Sequence, residues 1–451
     1  MNESDIESGA RTVVQVAEYF TDLKARARRL AADITPQTRG YFTPAEEDDA
    51  RALIVSYWQA RNALFELITS FRGDRSIEAA THPQAFLTAF AAALVLVDAA
   101  RFLRELAEHR PVVRRKFNEP APQFGMPGGV YDTVQRSLLG ARHGWHLYHA
   151  TLYLEQHRHE LQALRHDATC GRLLDLVDEL RHRLDVSLAD FASARLRTRA
   201  DQLTRRIARE LFGRAIYGLQ KLSGSLVADK YLRYGHHPQL PAPAAATVRD
   251  LLEPGDIIIV RKEYALTNYF LPGYWPHAAL FLGDVAELAQ LGISEHEHVR
   301  SRWQRLCEVA ADGPHHVLEA MKDGVHIRAL ASPFASDSVV VLRPQLAPLD
   351  VAAGLARCLS HEGKPYDFDF DFRRTDRLVC TEVVYRAYDG VGGIEIPLTR
   401  RAGRPNLAGS DLVRMGIEKR HFTPVAVFAP AFAPGVTTGD AVKEILQRGL
   451  E

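Results

Sequence analysis

The hydrophobic periodicity of this chain changes near residue 240, and that change constrains the fold more than any other feature. Before it, apolar residues recur every three or four positions over long segments such as "RTVVQVAEYFTDLKARARRLAA", which is the spacing of one helix face. After it come short apolar runs bounded by glycine, proline or aspartate, namely "GDIIIVRK", "HAALFLGD", "HHVLEAM", "GVHIRAL" and "SVVVLRP". Such runs predict strands. We therefore predict an α+β chain, in which an all-α helical bundle precedes a domain with a largely antiparallel sheet.

The length of 451 residues exceeds what one hydrophobic core usually holds, so we expect two domains. Residues 1–235 are predicted to form the helical bundle, and residues 250–451 the α+β domain. Between them, residues 236–249 are rich in proline and alanine without periodicity, which favours an exposed, semi-rigid linker. The most apolar run, "AFLTAFAAALVLVDAA", is interrupted by Asp98 and is too short to span a bilayer, so we predict a buried helix there.

Charge and cysteine content narrow the class of protein. The 56 basic and 56 acidic residues give a formal net charge of zero, so no overall field draws the chain to nucleic acid or to an anionic membrane. The four cysteines lie far apart and form no CxxC pair, which favours reduced thiols in a reducing compartment. The segment "MNESDIESGA" has neither the basic nor the apolar region of a signal peptide. We expect a cytoplasmic protein that binds no nucleic acid and has no transmembrane segment.

The segment "RLVCTEVVYRAYDG" places Cys380 at the start of a predicted helix, just after three arginines. The positive end of the helix dipole and nearby cations stabilise a thiolate, which is the nucleophilic form of cysteine. The unpaired amides of the same turn could also hold an oxyanion. The alternative is a buried structural cysteine, because free cysteine is among the most buried residue types. Cys170, Cys307 and Cys358 have no comparable setting, and Cys358 is predicted to lie in the core.

A cysteine hydrolase also needs an imidazole and a polar group that orients it. His277, in "GYWPHAALFLGD", begins a predicted strand, from which its ring could point into a cleft. The alternative is a strand-end histidine bonded to the backbone. Glu319, in "HHVLEAMKDGV", is a carboxylate among apolar strand residues. It either faces outward, as most glutamates do, or is buried because it accepts a hydrogen bond from an imidazole.

Two segments carry residue types that bind metals, but neither matches a metal-site pattern well. The run "DFDFD" at residues 367–371 lacks the glycine and the distal glutamate of a calcium loop. The run "EHEHVR" at residues 295–300 lies in a polar insertion and has no second ligand cluster. We therefore predict no metal site.

The order of the C-terminal motifs resembles a known family. "EPGDIIIV", "WPHAALFLG", "VLEAMKDGV", "GKPYDFDF" and "LVCTEVVYRAY" follow one another between about residues 250 and 400. This order resembles the YiiX/YebB-like group of the NlpC/P60 superfamily, whose papain-like fold is permuted so that the histidine precedes the cysteine. The resemblance implies Cys380 as the nucleophile, His277 as the general base and Glu319 as the polar third member of the site.

The resemblance also implies a function, that of a cysteine hydrolase cleaving an amide or ester bond through an acyl-thioester, with no metal or organic cofactor. Tyr366 matches a tyrosine that such sites place near the thiol, and Thr381 stands where the superfamily often has a serine. Both are candidates for substrate binding or support. Peptides, peptidoglycan fragments, other amides and lipid acyl groups are all open as substrates. The alternative is a papain-like binding or scaffold protein without activity, whose helical bundle docks a protein partner.

Overall fold

The computed structural model describes residues 3–32, 41–73, 83–108, 110–121, 126–138, 150, 153–183, 236, 238–263, 273–309, 315–401 and 404–450. The chain divides into two compact units, residues 1–235 and residues 236–451. The described part of the first unit is helical, and the second combines a sheet with helices. The predicted α+β fold class is therefore confirmed.

The N-terminal unit is built from helices that begin where the sequence supplies helix-starting residues. Its helices are α1 Glu3–Leu30, α2 Pro44–Gly73, α3 Pro83–Ala107, α4 Pro111–Asn118, α5 Val130–Leu138, α6 Arg158–Ala163 and α7 Ala168–Leu180, with short 3-10 turns at Leu164–His166 and Arg181–Arg183. Before α2, the amide of Thr43 donates to the Glu46 carboxylate at 2.8 Å, and the Glu46 amide donates back to the Thr43 hydroxyl at 3.4 Å. This reciprocal pair satisfies donors that the first turn leaves unpaired.

Helix α3 forms the core of the N-terminal unit. It is buried along nearly its whole length, which confirms the predicted buried helix. By length and composition α3 could cross a membrane, and 94% of its most apolar window is buried inside the structure. Asp98, which interrupts the apolar run, is buried as well and forms ion pairs with Lys24 and, at 3.0 Å, with Arg183. These partners allow a carboxylate to lie in an otherwise apolar helix.

The C-terminal unit is organised around one seven-stranded sheet. Its strands are β1 Ile257–Arg261, β2 His277–Gly283, β3 His316–Met321, β4 Gly324–Ala329, β5 Ser338–Pro344, β8 Phe422–Phe428 and β9 Val436–Thr438, and a separate hairpin is formed by β6 Thr399–Arg401 and β7 Arg404–Asn406. The strand order is β4-β3-β2-β1-β5-β8-β9, and every neighbouring pair is antiparallel. The five apolar runs of the sequence all form strands of this sheet.

Helices cover both faces of the sheet. They are α8 Ala242–Leu251, α9 Val285–Gln290, α10 Trp303–Val309, α11 Ala331–Phe334, α12 Pro348–Leu359, α13 Cys380–Tyr388, α14 Gly409–Ile417 and α15 Ala441–Arg448, with 3-10 turns at Ile293–Glu295 and Arg300–Arg302. Successive side chains of a strand point to opposite faces. In β1, Ile257 and Ile259 pack with α12 to α15, whereas Ile258 and Val260 pack with α8 and α11. The strand that separates these two cores is therefore apolar on both sides.

The expected linker is corrected by the structure. Part of the segment, from Ala242 onward, belongs to helix α8, and Val248 in that helix is fully buried against the sheet. Just before it, the amide of Leu240 donates to the carbonyl of Phe334 at 3.0 Å. A proline near the helix start costs no hydrogen bond, and the alanines that follow favour a helix. The proline and alanine content therefore marks a helix start, and α8 is part of the C-terminal unit.

Candidate active site

Cys380 is the first residue of helix α13. The residue before it, Val379, is extended with φ −97° and ψ 169°, and no side chain caps the helix. The rest of α13 is amphipathic, with Val383 and Val384 buried, and the helix packs on β2 and β3. Cys380 itself is 2% exposed. The apolar face of α13 thus holds the thiol at a helix N-terminus beside strands β2 and β3.

His277 is the first residue of strand β2 and lies beside Cys380. Its Nε2 contacts Oε2 of Glu319 at 2.8 Å, and its ring lies close enough to Cys380 for each of the two side chains to shift the pKa of the other. Since Nε2 is taken by the carboxylate, Nδ1 is the nitrogen left to face the sulfur. The sulfur also lies 3.9 Å from the carbonyl oxygen of Pro276. The imidazole side chain is 23% exposed, so the histidine is the member of this group that solvent reaches.

Glu319 lies in β3 with only 1% of its surface exposed. One carboxylate oxygen binds His277, and the other accepts a hydrogen bond from the hydroxyl of Ser332. The Nε of Arg328 lies 3.5 Å from this second oxygen. The structure therefore brings together the three side chains that the sequence singled out, in the order thiol, imidazole, carboxylate.

The electrostatics of the group favour the charged form of each of the three side chains. Burial raises the pKa of the Cys380 thiol, but the charge and hydrogen bond of His277 and the amides of Ala278 and Thr381 outweigh it and lower the pKa below its usual value. Burial lowers the pKa of His277, but Cys380 and Glu319 raise it to about 9. Burial raises the pKa of Glu319, but His277 and its other partners lower it to about 2. These directions favour a thiolate–imidazolium pair beside a charged carboxylate.

Tyr366 lies on the segment that runs beside the start of α13. It forms an isolated parallel bridge with Leu378, two residues before the cysteine. Burial raises the pKa of the Tyr366 phenol well above its usual value, and the charge of Cys380 raises it further. The ring packs edge-on against Phe368, with centroids 5.0 Å apart. The structure thus places this tyrosine within electrostatic range of the thiol.

The aspartates of the same segment hold its backbone. The Asp367 carboxylate accepts hydrogen bonds from the amides of Asp369 at 2.9 Å and Asp371 at 2.8 Å. Burial raises the pKa of Asp367 to about 7, and the neighbouring Asp369 raises it as well. A carboxylate that bonds its own loop in this way shapes a turn. Asp367 is therefore explained by its bonds to the backbone of this turn.

Thr381 anchors the nucleophile helix rather than facing a cleft. Its hydroxyl donates to the carbonyl of Leu407 at 2.7 Å, and the residue is 4% exposed. Two residues further on, Gly409 packs so closely on Trp275 that an added Cβ would overlap the Trp275 carbonyl oxygen. The segment 407–409 therefore touches both the cysteine helix and the residues just before His277. Two roles were expected for Thr381, substrate binding and support of the site, and its hydrogen bond to Leu407 is of the supporting kind.

The other cysteines lie in different surroundings. Cys358 is fully buried, and its sulfur lies 3.2 Å from the carbonyl of Val383, as expected for a core residue. Burial raises the pKa of the Cys358 thiol to about 12, and burial likewise raises the pKa of Cys170 to about 12. Cys307 is exposed. Cys380 is the thiol whose surroundings favour the charged form.

Sequence reasoning missed Ser332 and Arg328, which contact Glu319, and Gly409, which packs on Trp275 two residues before His277. Each contact depends on how separate elements pack together, so no local spacing marks it. The one available signal was in "GVHIRAL", where an arginine alternates with apolar residues and so faces the same side of β4 as His326.

Comparison with known proteins agrees with this geometry. Residues 251–427 match the family described as "Permuted papain-like amidase enzyme, YaeF/YiiX, C92 family". The matched range lies within the C-terminal unit and includes all three members of the group. No curated protein and no solved structure gave a significant match.

Proposed function

Because the C-terminal unit carries the YiiX-like permuted papain fold of an amidase family, we propose that this protein is a cysteine hydrolase with Cys380 as its nucleophile. The observation that carries the proposal is the placement of His277, whose Nε2 binds Glu319 at 2.8 Å and whose ring lies close enough to Cys380 for each of the two side chains to shift the pKa of the other. A thiol, an imidazole and a buried carboxylate in this sequence are what acyl transfer through a thioester needs.

The proposed reaction proceeds in two steps. The Cys380 thiolate attacks the substrate carbonyl carbon, and the imidazolium of His277 gives its proton to the leaving amine or alcohol as the acyl-thioester forms. Neutral His277 then takes a proton from water, whose oxygen attacks the thioester, and the carboxylic acid leaves as the thiolate–imidazolium pair is restored. Glu319 keeps the imidazole oriented and stabilises its charged form throughout.

The developing oxyanion needs hydrogen-bond donors that are fixed in advance. We assign this role to the backbone amide of Cys380, at the N-terminus of α13, and to the hydroxyl of Tyr366. The position of Tyr366 supports the assignment, because its phenol lies within electrostatic range of the sulfur and its raised pKa keeps it protonated as a donor. The side chains of the chain itself supply every proton transfer in this cycle.

The bond cleaved is an amide in the first instance, because the matched family is one of amidases. Peptides, peptidoglycan fragments and lipid acyl amides or esters share the carbonyl that the thiolate would attack, and we propose substrates from this group. A protein with reduced thiols and this site would meet such substrates in the cytoplasm.

Activity-based labelling tests the proposal. The full-length protein should be labelled by a thiol-reactive acyl probe at pH 7, and Cys380→Ala should abolish the labelling. Cys307→Ala is the matched control, since Cys307 is exposed and lies outside the group, and it should label as the wild type does. Labelling that survives Cys380→Ala would contradict the proposal. A wild type that resists every acyl probe would favour a papain-like binding protein without activity.

A further inference from the structure

The second oxygen of the Glu319 carboxylate has its own set of contacts. Oε2 binds His277, whereas Oε1 accepts the hydroxyl of Ser332 and lies 3.5 Å from Nε of Arg328. Both oxygens of a carboxylate that is 99% buried are therefore occupied, and the side chain cannot rotate without losing a donor. The hydroxyl of Ser332 also lies 3.9 Å from the sulfur of Met321.

Arg328 is shared between two buried carboxylates. Its Nη2 lies 2.5 Å from Oδ1 of Asp323, which is fully buried, while its Nε faces Glu319. The distance to Glu319 is that of an ion pair rather than a well-aligned hydrogen bond. Asp323 thus holds the guanidinium in place, and the charge of Arg328 acts on Glu319 from that fixed position.

The register of the sheet explains why these groups meet. Glu319 lies directly opposite His326, and Val317 lies directly opposite Arg328, so their side chains share one face of β3 and β4. That face packs on the side of the sheet where α11 presents Ser332. The charged or titratable groups around the carboxylate are His277 with Cys380 on one side, and Arg328, Asp323 and His326 on the other.

We propose that Ser332 and Arg328 are positioning residues of the site, which hold the carboxylate of Glu319 aimed at Nε2 of His277. This inference rests on the proposed function for its consequence in catalysis, but its structural content concerns Glu319 and His277 alone. Donors to a carboxylate stabilise its charged form. A fixed, charged Glu319 in turn stabilises the imidazolium, which is the acid that protonates the leaving group. Ser332 acts from α11, on the sheet face opposite α13, so the two faces support the site together.

The test measures the pKa of His277 directly, in the full-length protein. Histidine-selective NMR titration supplies the value, and the resonance is assigned by its loss in His277→Gln. Ser332→Ala should lower the pKa of His277 by about half a unit or more, because the Glu319 carboxylate can then turn away from Nε2 and bind the imidazolium less closely. Ser332→Thr keeps the hydroxyl and should leave the pKa of His277 at its wild-type value. Ser336→Ala is the matched control, since Ser336 is fully buried and its hydroxyl has no hydrogen-bond partner among the described residues.

The same variants are compared in a Glu319→Gln background and in turnover assays. If Ser332 acts through the Glu319 charge, Ser332→Ala adds little further change to the pKa of His277 in that background. In turnover, kcat should fall several-fold at alkaline pH with KM unchanged. An unchanged pKa of His277 in Ser332→Ala, or an equal drop in Ser336→Ala, overturns the positioning role. A protein that shows the expected pKa changes but hydrolyses no acyl substrate keeps this inference and refutes the proposed function.

Discussion

Replacing Glu319 with glutamine tests the electrostatic account of the site most directly. Glutamine has nearly the same shape, its amide oxygen can still accept from Nε2 of His277, and its amide nitrogen can donate to the hydroxyl of Ser332. The substitution therefore chiefly removes the negative charge that faces His277 and Arg328. A hydrogen bond to a charged group contributes about 1.5–3 kcal/mol and a neutral one about 0.5–1.5 kcal/mol. Losing the charge therefore costs the imidazolium about 1–1.5 kcal/mol. One pKa unit corresponds to about 1.4 kcal/mol, so the pKa of His277 should fall by about one unit from its value of about 9.

The sign of the effect on activity follows from the role of His277 as acid. Above its pKa the imidazolium has lost its proton, so the alkaline limb of the pH–rate profile should lie near pH 9 in the wild type and about one unit lower in Glu319→Gln. The assay is hydrolysis of an acyl substrate from pH 5 to 10, with Glu253→Gln as control, since Glu253 is 65% exposed and pairs with Arg343. An alkaline limb that does not move in Glu319→Gln would refute the proposed electrostatic coupling.

The same substitution has a second consequence, for stability. The pKa of Glu319 is lowered from 4.5 to about 2, which corresponds to about 3 kcal/mol. A carboxylate with a lowered pKa contributes this stability above pH 4.5, and the contribution is lost as the pH falls through 2. Chemical denaturation from pH 5 to pH 2 should show this loss in the wild type, and a smaller loss in Glu319→Gln. Parallel curves for the two proteins would mean that the pKa of Glu319 is not lowered by folding.

Three further outcomes are expected. With limiting iodoacetamide at pH 7, Cys380 should be alkylated well before the other three cysteines, as measured by mass spectrometry. Uniform labelling of all four cysteines would contradict an activated thiol. Gly409→Ala should displace the residues before His277 and slow Cys380 alkylation at pH 6 by about tenfold or more. Gly416→Ala, whose Cβ would meet the end of a flexible leucine side chain, should change the alkylation rate little. A fragment that begins at His236 keeps α8 and should fold with a reactive thiol. A fragment that begins at Leu252 lacks α8 and should show a lower melting temperature by circular dichroism. Equal melting temperatures for the two fragments would mean that α8 does not stabilise the core.

Much of the C-terminal fold could be predicted because its strands are short, apolar and clearly bounded. The central residues of the run "GDIIIVRK" are all apolar and are buried on both faces of the sheet, so the run predicts a central strand in either register. His277 stood out because it begins a strand whose remaining residues are apolar, and Cys380 because it begins an amphipathic helix. A polar residue at the end of an apolar element lies at the edge of the core, where a cleft can form.

The linker and the supporting residues could not be predicted, for different physical reasons. Proline and alanine are common both in extended linkers and at helix starts, and burial of Val248 decides between these only when the sheet is present. Ser332 contacts Glu319 through a hydroxyl on a helix of four residues, and Gly409 matters because of a close approach to Trp275. Both contacts depend on tertiary packing, and neither leaves a periodic trace in the sequence.

The geometry of the site explains why the order of its residues along the chain can be permuted. His277 and Glu319 come from the adjacent strands β2 and β3, and Cys380 comes from a helix that packs on those same strands. None of the three is positioned by its neighbours in sequence alone. Each is fixed by the finished sheet, through the ladder between β2 and β3 and through the apolar face of α13. A chain whose cysteine helix follows the two strands in sequence can therefore place the three side chains as a chain whose cysteine helix precedes them does, provided that β2 and β3 pair in the sheet.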